Sequence, residues 1–308
     1  MLPIVCKLLA ASAVGLALLG RSAPARASAC CGEGHGIGQR LASAERAAVI
    51  SSARLQGRIG SWASDGEFTA IDGGSHDQEL RLDAGWVVKV GDAEVGMVIP
   101  LVYTWRELGD AASSGGGIGD VQGFGRYPII PVEGRGWLPG IALTLSAIAP
   151  TGRPPGEAED TLGAEATGIG VAEVRPGITL EKTWYTGWFV AVAGSVGLRT
   201  ASYADEVEVQ SAPRWQVLAA AGPSWPNGFS FALGALFEAE AGPTIDGNAT
   251  GESRRRTAAL AFAAYDVDER WTVVGALQSD LPISGLGQGE TVSTSGSVGL
   301  RFAWGQEN

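Results

Sequence analysis

Hydrophobic and polar side chains alternate with a period of two along most of the chain after residue 50. In the segment 78–90, Leu80, Leu82 and Trp86 share one face, and Arg81 and Asp83 share the other. Successive side chains of a β-strand point to opposite faces, so this period indicates strands with one polar and one apolar face. The pattern predicts strands at residues 52–63, 78–90, 93–106, 117–130, 137–149, 168–181, 184–200, 212–225, 228–241, 254–267, 270–281 and 291–304.

The predicted strands are long, and their connections alternate between long and short. Strands of soluble proteins usually have about 5 to 6 residues, whereas a tilted strand that crosses a membrane needs about 9 to 11. The even-numbered connections are short, as at Gly91-Asp92, and the odd-numbered ones are mostly longer and rich in Gly, Pro and Ser. We interpret the run Gly115-Gly116-Gly117 as part of one such external loop. The sequence therefore predicts an all-β fold, an antiparallel up-and-down transmembrane β-barrel of about 12 strands.

Alternation alone does not decide which face points inward, because a soluble sandwich buries its apolar face and a membrane barrel exposes it to lipid. Tryptophans at the predicted strand ends favour the barrel, since aromatic side chains collect at membrane interfaces. They are Trp105, Trp137, Trp184, Trp225, Trp271 and Trp304. In the tenth strand, two sets of small apolar residues compete for the lipid face, the set that begins at Ala258 and the set that begins at Ala259, and we leave that strand unassigned.

The chain begins with features of a secretory signal peptide. Lys7 precedes an apolar run over residues 8–19, and Ala27-Ser28-Ala29 is typical of a cleavage site. We predict a signal peptide at 1–29, a periplasmic or plug-like segment at 30–50, with a short helix at 41–50 as one option, and the outer-membrane barrel at 51–308. The pair Cys30 and Cys31 leaves a disulfide or a lipid-modified Cys30 open.

The charge balance of the mature chain is strongly acidic. Without residues 1–29, 19 basic residues stand against 33 acidic ones, a formal charge of −14. Nucleic-acid binding needs a basic surface, so we expect no nucleic acid among the partners. A positive mean hydropathy of +0.11 together with this charge fits apolar residues facing a lipid bilayer and polar ones facing a lumen that admits small-molecule solutes.

Two short motifs resemble a family of bacterial outer-membrane proteins named after the meta-cleavage pathway of phenol degradation. The first is Gly117-Ile118-Gly119-Asp120 at the predicted start of the fourth strand, and the second is Ala149-Pro150-Thr151-Gly152 at the end of the fifth. The resemblance covers roughly residues 80–304. It implies an outer-membrane barrel that transports small, often aromatic or hydrophobic, molecules without catalytic residues. The chain departs from the family at its end, where Gly305 follows the aromatic Trp304.

Charged residues on the predicted inward faces are the candidate functional residues. They are Glu79, Arg81, Asp83, Glu94, Arg106, Asp120, Arg126, Glu173, Arg175, Glu181, Arg214 and Glu238. We interpret them as lining a pore of mixed charge, with Arg81, Asp120, Arg126 and Glu173 as the foremost solute contacts. The alternative is that these carboxylates and guanidinium groups pair with one another and fill the interior. Barrels of about eight strands are packed solid and those of about 16 leave a channel, and a barrel of twelve lies between these two sizes.

The sequence favours passive passage of small molecules over two rival functions. An adhesive or structural barrel would bind a partner through external loops such as 150–166 and 242–253. An outer-membrane hydrolase would need a histidine beside a nucleophile, and only His35 and His76 are available, both in predicted loops. A metal site at Asp72, His76 and Asp77 lacks a diagnostic spacing. We therefore predict that the chain is not an enzyme and needs no cofactor and no metal.

Overall fold

Twelve antiparallel strands form the wall of a closed barrel in a computed structural model, which describes residues 40–73, 75–132, 136–204, 207–249 and 253–305. The predicted signal peptide, Cys30, Cys31 and His35 lie outside the described residues. The strands are β1 (Ala47–Trp62), β2 (His76–Val90), β3 (Ala93–Leu108), β4 in two parts, β4a (Ala111–Ile118) and β4b (Val121–Ile130), β5 (Gly140–Ala149), β6 (Glu173–Thr183), β7 (Trp188–Arg199), β8 (Arg214–Pro223), β9 (Phe229–Glu240), β10 (Arg254–Asp266), β11 (Trp271–Asp280) and β12 (Thr291–Trp304).

Each strand pairs with its neighbours in chain order, and the last strand closes the sheet on the first. In this seam β12 runs antiparallel to β1, from Trp304 opposite Ala47 to Thr291 opposite Ser61. The strands have 8 to 16 residues, and the two parts of β4 together pair with β3. The predicted fold class and strand number are therefore confirmed.

The two faces of the barrel wall differ in burial as the alternation requires. In β7, Phe189, Ala191 and Ala193 are buried, and the alternating Val190 and Val192 are exposed. Because the barrel is closed, the buried set faces the interior and the exposed apolar set faces outward. The burial pattern also resolves β10, in which Ala258 and its alternate neighbours face inward.

Aromatic side chains gather on the outer surface where the short turns lie. Trp271 contacts Phe302 with ring centroids 4.7 Å apart, and Trp225 stacks on Phe229 at 5.4 Å. Among the short turns, the one at 267–270 is held by Asp268, whose carboxylate accepts hydrogen bonds from the backbone N–H groups of Arg270 and Trp271 at 2.7 and 2.8 Å. These two bonds lower the pKa of Asp268 below its usual range.

Two local predictions were wrong. The short helix at 41–50 is absent: residues 43–44 form a turn and β1 already begins at Ala47, because this part of the chain pairs with both β2 and β12. The run at 115–117 is not a loop but part of β4a, which follows a two-residue turn at Gly109-Asp110. Gly109 has φ +61°, a conformation that favours glycine, and this lets β3 turn back directly.

The external connections carry little regular structure of their own. Four short strands, Ser202–Ala204, Val207–Gln210, Thr244–Ile245 and Asn248–Ala249, form a small sheet that joins the β7–β8 loop to the β9–β10 loop. A single turn of 3-10 helix, Pro155–Glu157, lies in the β5–β6 loop. Across the described parts of the chain, no helix is both long and apolar enough to cross a membrane.

Candidate functional site: the barrel interior

Charged side chains on the inward faces of the strands form ion pairs between neighbouring and nearby strands. All twelve candidates from the sequence take part in an ion pair or a backbone hydrogen bond. Eleven of them form ion pairs, and Asp120 binds backbone N–H groups. Whether a solute passes between these pairs is not decided by the pairing, so their role as pore contacts stays a prediction.

The largest of these clusters is centred on Glu173 at the start of β6. Its carboxylate accepts hydrogen bonds from Arg175, two residues further along the strand, and from Arg199 of β7 at 2.8 Å. Arg199 also donates to Glu240 of β9 at 3.0 Å, and Arg214 of β8 donates to the same carboxylate at 3.0 Å. Glu173 is only 2% exposed. Loss of this buried carboxylate would leave the charges of its arginine partners uncompensated, which destabilises a fold.

A second cluster continues round the wall through β9, β10 and β11. Glu238 pairs with Arg256 at 2.6 Å, and Arg256 lies 3.8 Å from Asp280. Asp280 is fully buried and accepts a hydrogen bond from the backbone N–H of Ser293 on β12 at 2.8 Å. This cluster lies between the Glu173 network and β12, the strand that closes the barrel, and it binds β12 through Ser293.

The opposite wall, β1 to β3, carries a third cluster. Arg81 pairs with Asp83 of its own strand at 2.7 Å. Further pairs link Arg54 to Glu79 at 3.0 Å and Arg106 to Asp77 at 3.1 Å. Arginine and carboxylate thus alternate along this wall as well, and the charges of neighbouring strands offset one another.

Near the short turns, the strand charges meet the chain segment that precedes β1. Arg126 lies 3.4 Å from Glu94 and 3.7 Å from Glu181. Arg40 donates to Glu181, and the backbone N–H of Leu41 donates to Glu94 at 3.3 Å. Glu94 and Glu181, two of the predicted pore contacts, therefore bind the segment that precedes β1, and Arg126 pairs with both of them.

Residues 40–46 lie inside this end of the barrel. Arg301 of β12 donates two hydrogen bonds to Glu45, one of them at 2.9 Å, and both side chains are nearly buried. Leu41 is 3% exposed and packs in one cluster with Ala48, Val87 and Ala303. Residues 40–46 thus contact the inward faces of the neighbouring strands, and the choice between a periplasmic and a plug-like segment 30–50 stays a prediction.

An apolar cluster occupies the interior face of β7 to β10, on the side of the short turns. It consists of Phe189, Leu218, Ala220, Ala232, Leu236, Ala258 and Leu260, with Phe262 packed against it. Phe189 follows one short turn, and Ala232 follows the next. On the wall from β6 to β10, charged pairs therefore lie nearer the long loops and the apolar cluster lies nearer the short turns. On β3 to β6, by contrast, the short-turn end is also charged, through Glu94, Arg126 and Glu181.

Asp120, which the sequence predicts as a solute contact, binds backbone groups of the β5–β6 loop. It lies in the break between β4a and β4b, and its carboxylate accepts hydrogen bonds from the backbone N–H groups of Gly152 at 3.0 Å and Ile169 at 2.7 Å. A carboxylate with two backbone donors fixes the start and the end of the β5–β6 loop. Both ends of the loop are thus bonded to the break in β4.

The other candidates for chemistry stay apart. His76 opens β2 and does not lie in the preceding loop, because its backbone pairs with Glu107 of β3. Asp77 forms ion pairs with Arg106 and Arg58. In the described ranges no group of three or more His, Cys, Asp and Glu side chains could hold a metal ion.

Sequence reasoning missed several members of these networks. They are Arg40, Glu45, Arg54, Asp77, Arg199, Glu240, Arg256, Asp280 and Arg301. Arg199 and Glu240 fall on inward positions of their strands, so strict use of the alternation up to the strand ends would have found them. The pair of Glu45 with Arg301 joins two ends of the sequence, and no local pattern reports it.

No family model and no curated protein matches the chain, so membership of the phenol-pathway family stays a prediction. The chain is similar to the crystal structure of an outer-membrane channel from Pseudomonas putida F1, with 14% identity, a TM-score of 0.71, and coverage of 86% of this chain and 98% of that one. It also resembles the transport unit of the autotransporter AIDA-I from Escherichia coli, with 11% identity, a TM-score of 0.47, and coverage of 84% and 90%. That score is too low to carry an argument. The likeness to the Pseudomonas protein shows that this chain has the fold of an outer-membrane β-barrel.

Proposed function

We propose that the chain is an outer-membrane channel for the passive passage of small molecules, including hydrophobic or aromatic ones. The single observation that carries this proposal is the interior face of β6 to β10 in a closed barrel, which has two zones. On this wall, paired arginines and carboxylates face the interior near the long loops, and the apolar cluster around Leu218 and Leu236 faces it near the short turns.

Each zone suits a different part of a small amphipathic solute. Fully paired charges present a polar surface of low net charge, so they attract neither cations nor anions strongly. Buried leucine and phenylalanine side chains give a hydrophobic or aromatic group a place to leave water. In a membrane barrel, apolar side chains can face lipid on the outer surface. Apolar side chains on the inner surface therefore suit contact with a solute, and this supports a role in solute passage.

Planar-bilayer recording and vesicle swelling test the proposal directly. The full chain, purified from outer membranes and inserted into lipid bilayers, should give discrete current steps, and vesicles that contain it should swell in small polar solutes and take up indole. Silence at all voltages, together with swelling and indole uptake equal to those of empty vesicles, would refute a channel function.

A matched pair of variants tests the apolar zone. Leu218 points inward and is 5% exposed, whereas its neighbour Val217 points outward and is 48% exposed. We expect L218Q to lower indole uptake several-fold with little change in ion conductance, because a glutamine in the cluster attracts water. V217Q should leave uptake unchanged, and equal effects of the two variants would argue against passage along the apolar cluster.

A further inference from the structure

The β5–β6 loop, residues 150–172, folds against the inward face of β3 and β4a. Gly115 and Gly117 of β4a lie opposite Thr104 and Val102 of β3, and both of these β3 residues are buried on the inward face. A Cβ atom at Gly115 would come within 2.7 Å of the Cα of Glu165, so the loop backbone occupies the space that a side chain would fill. This part of the loop thus lies on the lumen side of the barrel wall.

Glycine at alternate positions of β4a makes this seat possible. Gly115, Gly117 and Gly119 all point to the same inward side, and a Cβ at Gly119 would lie 3.1 Å from the carbonyl oxygen of Thr167. Glycine at successive inward positions leaves room for another stretch of backbone to approach the strand closely. The run that looks like a flexible loop in the sequence is therefore a surface shaped to receive one.

Hydrogen bonds fix both ends of the loop to the break in β4. Asp120 binds the N–H groups of Gly152 and Ile169, and the Thr151 hydroxyl donates to the carbonyl of Gly119 at 2.7 Å. The Thr167 hydroxyl donates to the carbonyl of Ile118 at 2.9 Å. The two short motifs of the sequence, at 117–120 and 149–152, thus meet in one clasp.

The far part of the loop has its own anchor on β3. Arg106, which points inward to its pair with Asp77, also donates to the carbonyl of Leu162 at 2.6 Å. Ala164, two residues later, is fully buried. A loop held at both ends and in the middle keeps a fixed position across part of the lumen.

We infer that Asp120 is a positioning residue that holds the loop 150–172 in the lumen, and that this loop sets the cross-section of the channel on the side of the long loops. The inference rests on the proposed channel function. It assigns size selection to the loop backbone and its clasp, and it gives Asp120 a role that is distinct from solute contact.

Conductance and solute size measure the effect of opening the clasp. D120A removes both acceptor oxygens, so the loop should leave its seat, single-channel conductance should rise several-fold, and vesicles should swell in larger sugars than with the wild-type chain. D120N keeps one acceptor oxygen and should give an intermediate value. A general loss of folding would lower conductance or abolish insertion, and it would not produce this graded increase.

A reversible crosslink supplies the second measurement. In a C30S/C31S background, G117C/T167C places two thiols across the seat, since a Cβ at Gly117 would lie 3.7 Å from the Cγ2 of Thr167, near the reach of a disulfide. Oxidation of D120A/G117C/T167C should return its conductance to that of the oxidised G117C/T167C parent, and reduction should raise it again. Both redox states share the same substitutions, so the change reports loop position alone.

The crosslink also separates this inference from the proposed function, because its rate is read on a gel without any current. Fast crosslinking of G117C/T167C and slow crosslinking after D120A, in a chain that never conducts, would refute the channel but support the positioning role of Asp120. Failure of the crosslink to form, or a D120A variant with wild-type conductance and size limit, would overturn the inference.

Discussion

Replacing Glu173 by glutamine should destabilise the barrel more than any comparable change at an exposed ion pair. The Glu173 side chain is 1% exposed, and it holds the guanidinium groups of Arg175 and Arg199. The E173Q side chain keeps the size and one acceptor oxygen but loses the charge. Arg199 keeps Glu240, whereas among the described residues Arg175 keeps only Gln216, at 3.4 Å. The variant therefore leaves one buried guanidinium without a carboxylate.

The size of the effect follows from that geometry. Removing one partner of a buried ion pair costs about 3 to 5 kcal/mol. We expect about 3 kcal/mol for E173Q, the lower limit, because the remaining amide oxygen still accepts one hydrogen bond. The control is E165Q, since the Arg153–Glu165 pair has side chains that are 48% and 31% exposed, and pairs of this kind contribute about 0 to 1 kcal/mol.

Urea unfolding from lipid vesicles measures both variants. The chain has 10 tryptophans, so its fluorescence reports the loss of the membrane-embedded state. The free energy of unfolding should fall clearly more for E173Q than for E165Q, with the same dependence on urea concentration. Equal losses for the two variants would mean that water reaches the Glu173 network freely, and the reasoning from burial would be refuted.

Three further predictions use the same unfolding measurement. A Cβ at Gly197 would lie 2.8 Å from Oε1 of Glu173, so G197A should cost about 1 to 3 kcal/mol, whereas G194A, with its nearest neighbour 4.0 Å away, should be close to neutral; the reverse order would contradict the packing. Leu233 points outward and is 59% exposed, so L233R should cost about 2 to 4 kcal/mol if this face meets lipid, and unchanged stability in vesicles would contradict that orientation. The two backbone N–H donors lower the pKa of Asp268. The contribution of Asp268 to stability is therefore present above its unfolded pKa of about 4 and is lost as the pH falls through the lower folded value. D268N should remove this acid-dependent part of the stability, and an unaltered pH profile of unfolding would count against the assignment.

The alternation of side chains predicted the barrel because the membrane imposes it. Each wall strand must present apolar residues to lipid and can place polar ones inside, so residues such as Val174 and Glu173 fall on opposite faces at every step. Where small residues occupy both faces, as in β10, the same rule gave no answer. The faces there are set by packing of Leu260 against Leu236 and Leu218, which only the folded barrel brings together.

The parts of the site that the sequence could not predict depend on contacts between distant segments. The glycines of β4a indicated a loop because glycine usually weakens a strand, and their purpose becomes visible only with Glu165 seated against them. The sequence marks Asp120 as a functional candidate, but its partners are backbone groups about 30 and 50 positions away, which carry no residue-type signal. The position of residues 40–46, held by the bond between Arg301 and Glu45, could not be predicted for the same reason.

The seam between β12 and β1 has a consequence for biogenesis. Until the last strand has left the ribosome, β1 has no partner on one side, and every partly made chain carries an edge that can pair with another copy. Closing a ring from its two far ends is also slow, since a long stretch of polypeptide must be ordered first. The free edges of β1 and β12 are therefore complementary to each other, and closure of the ring removes both at once.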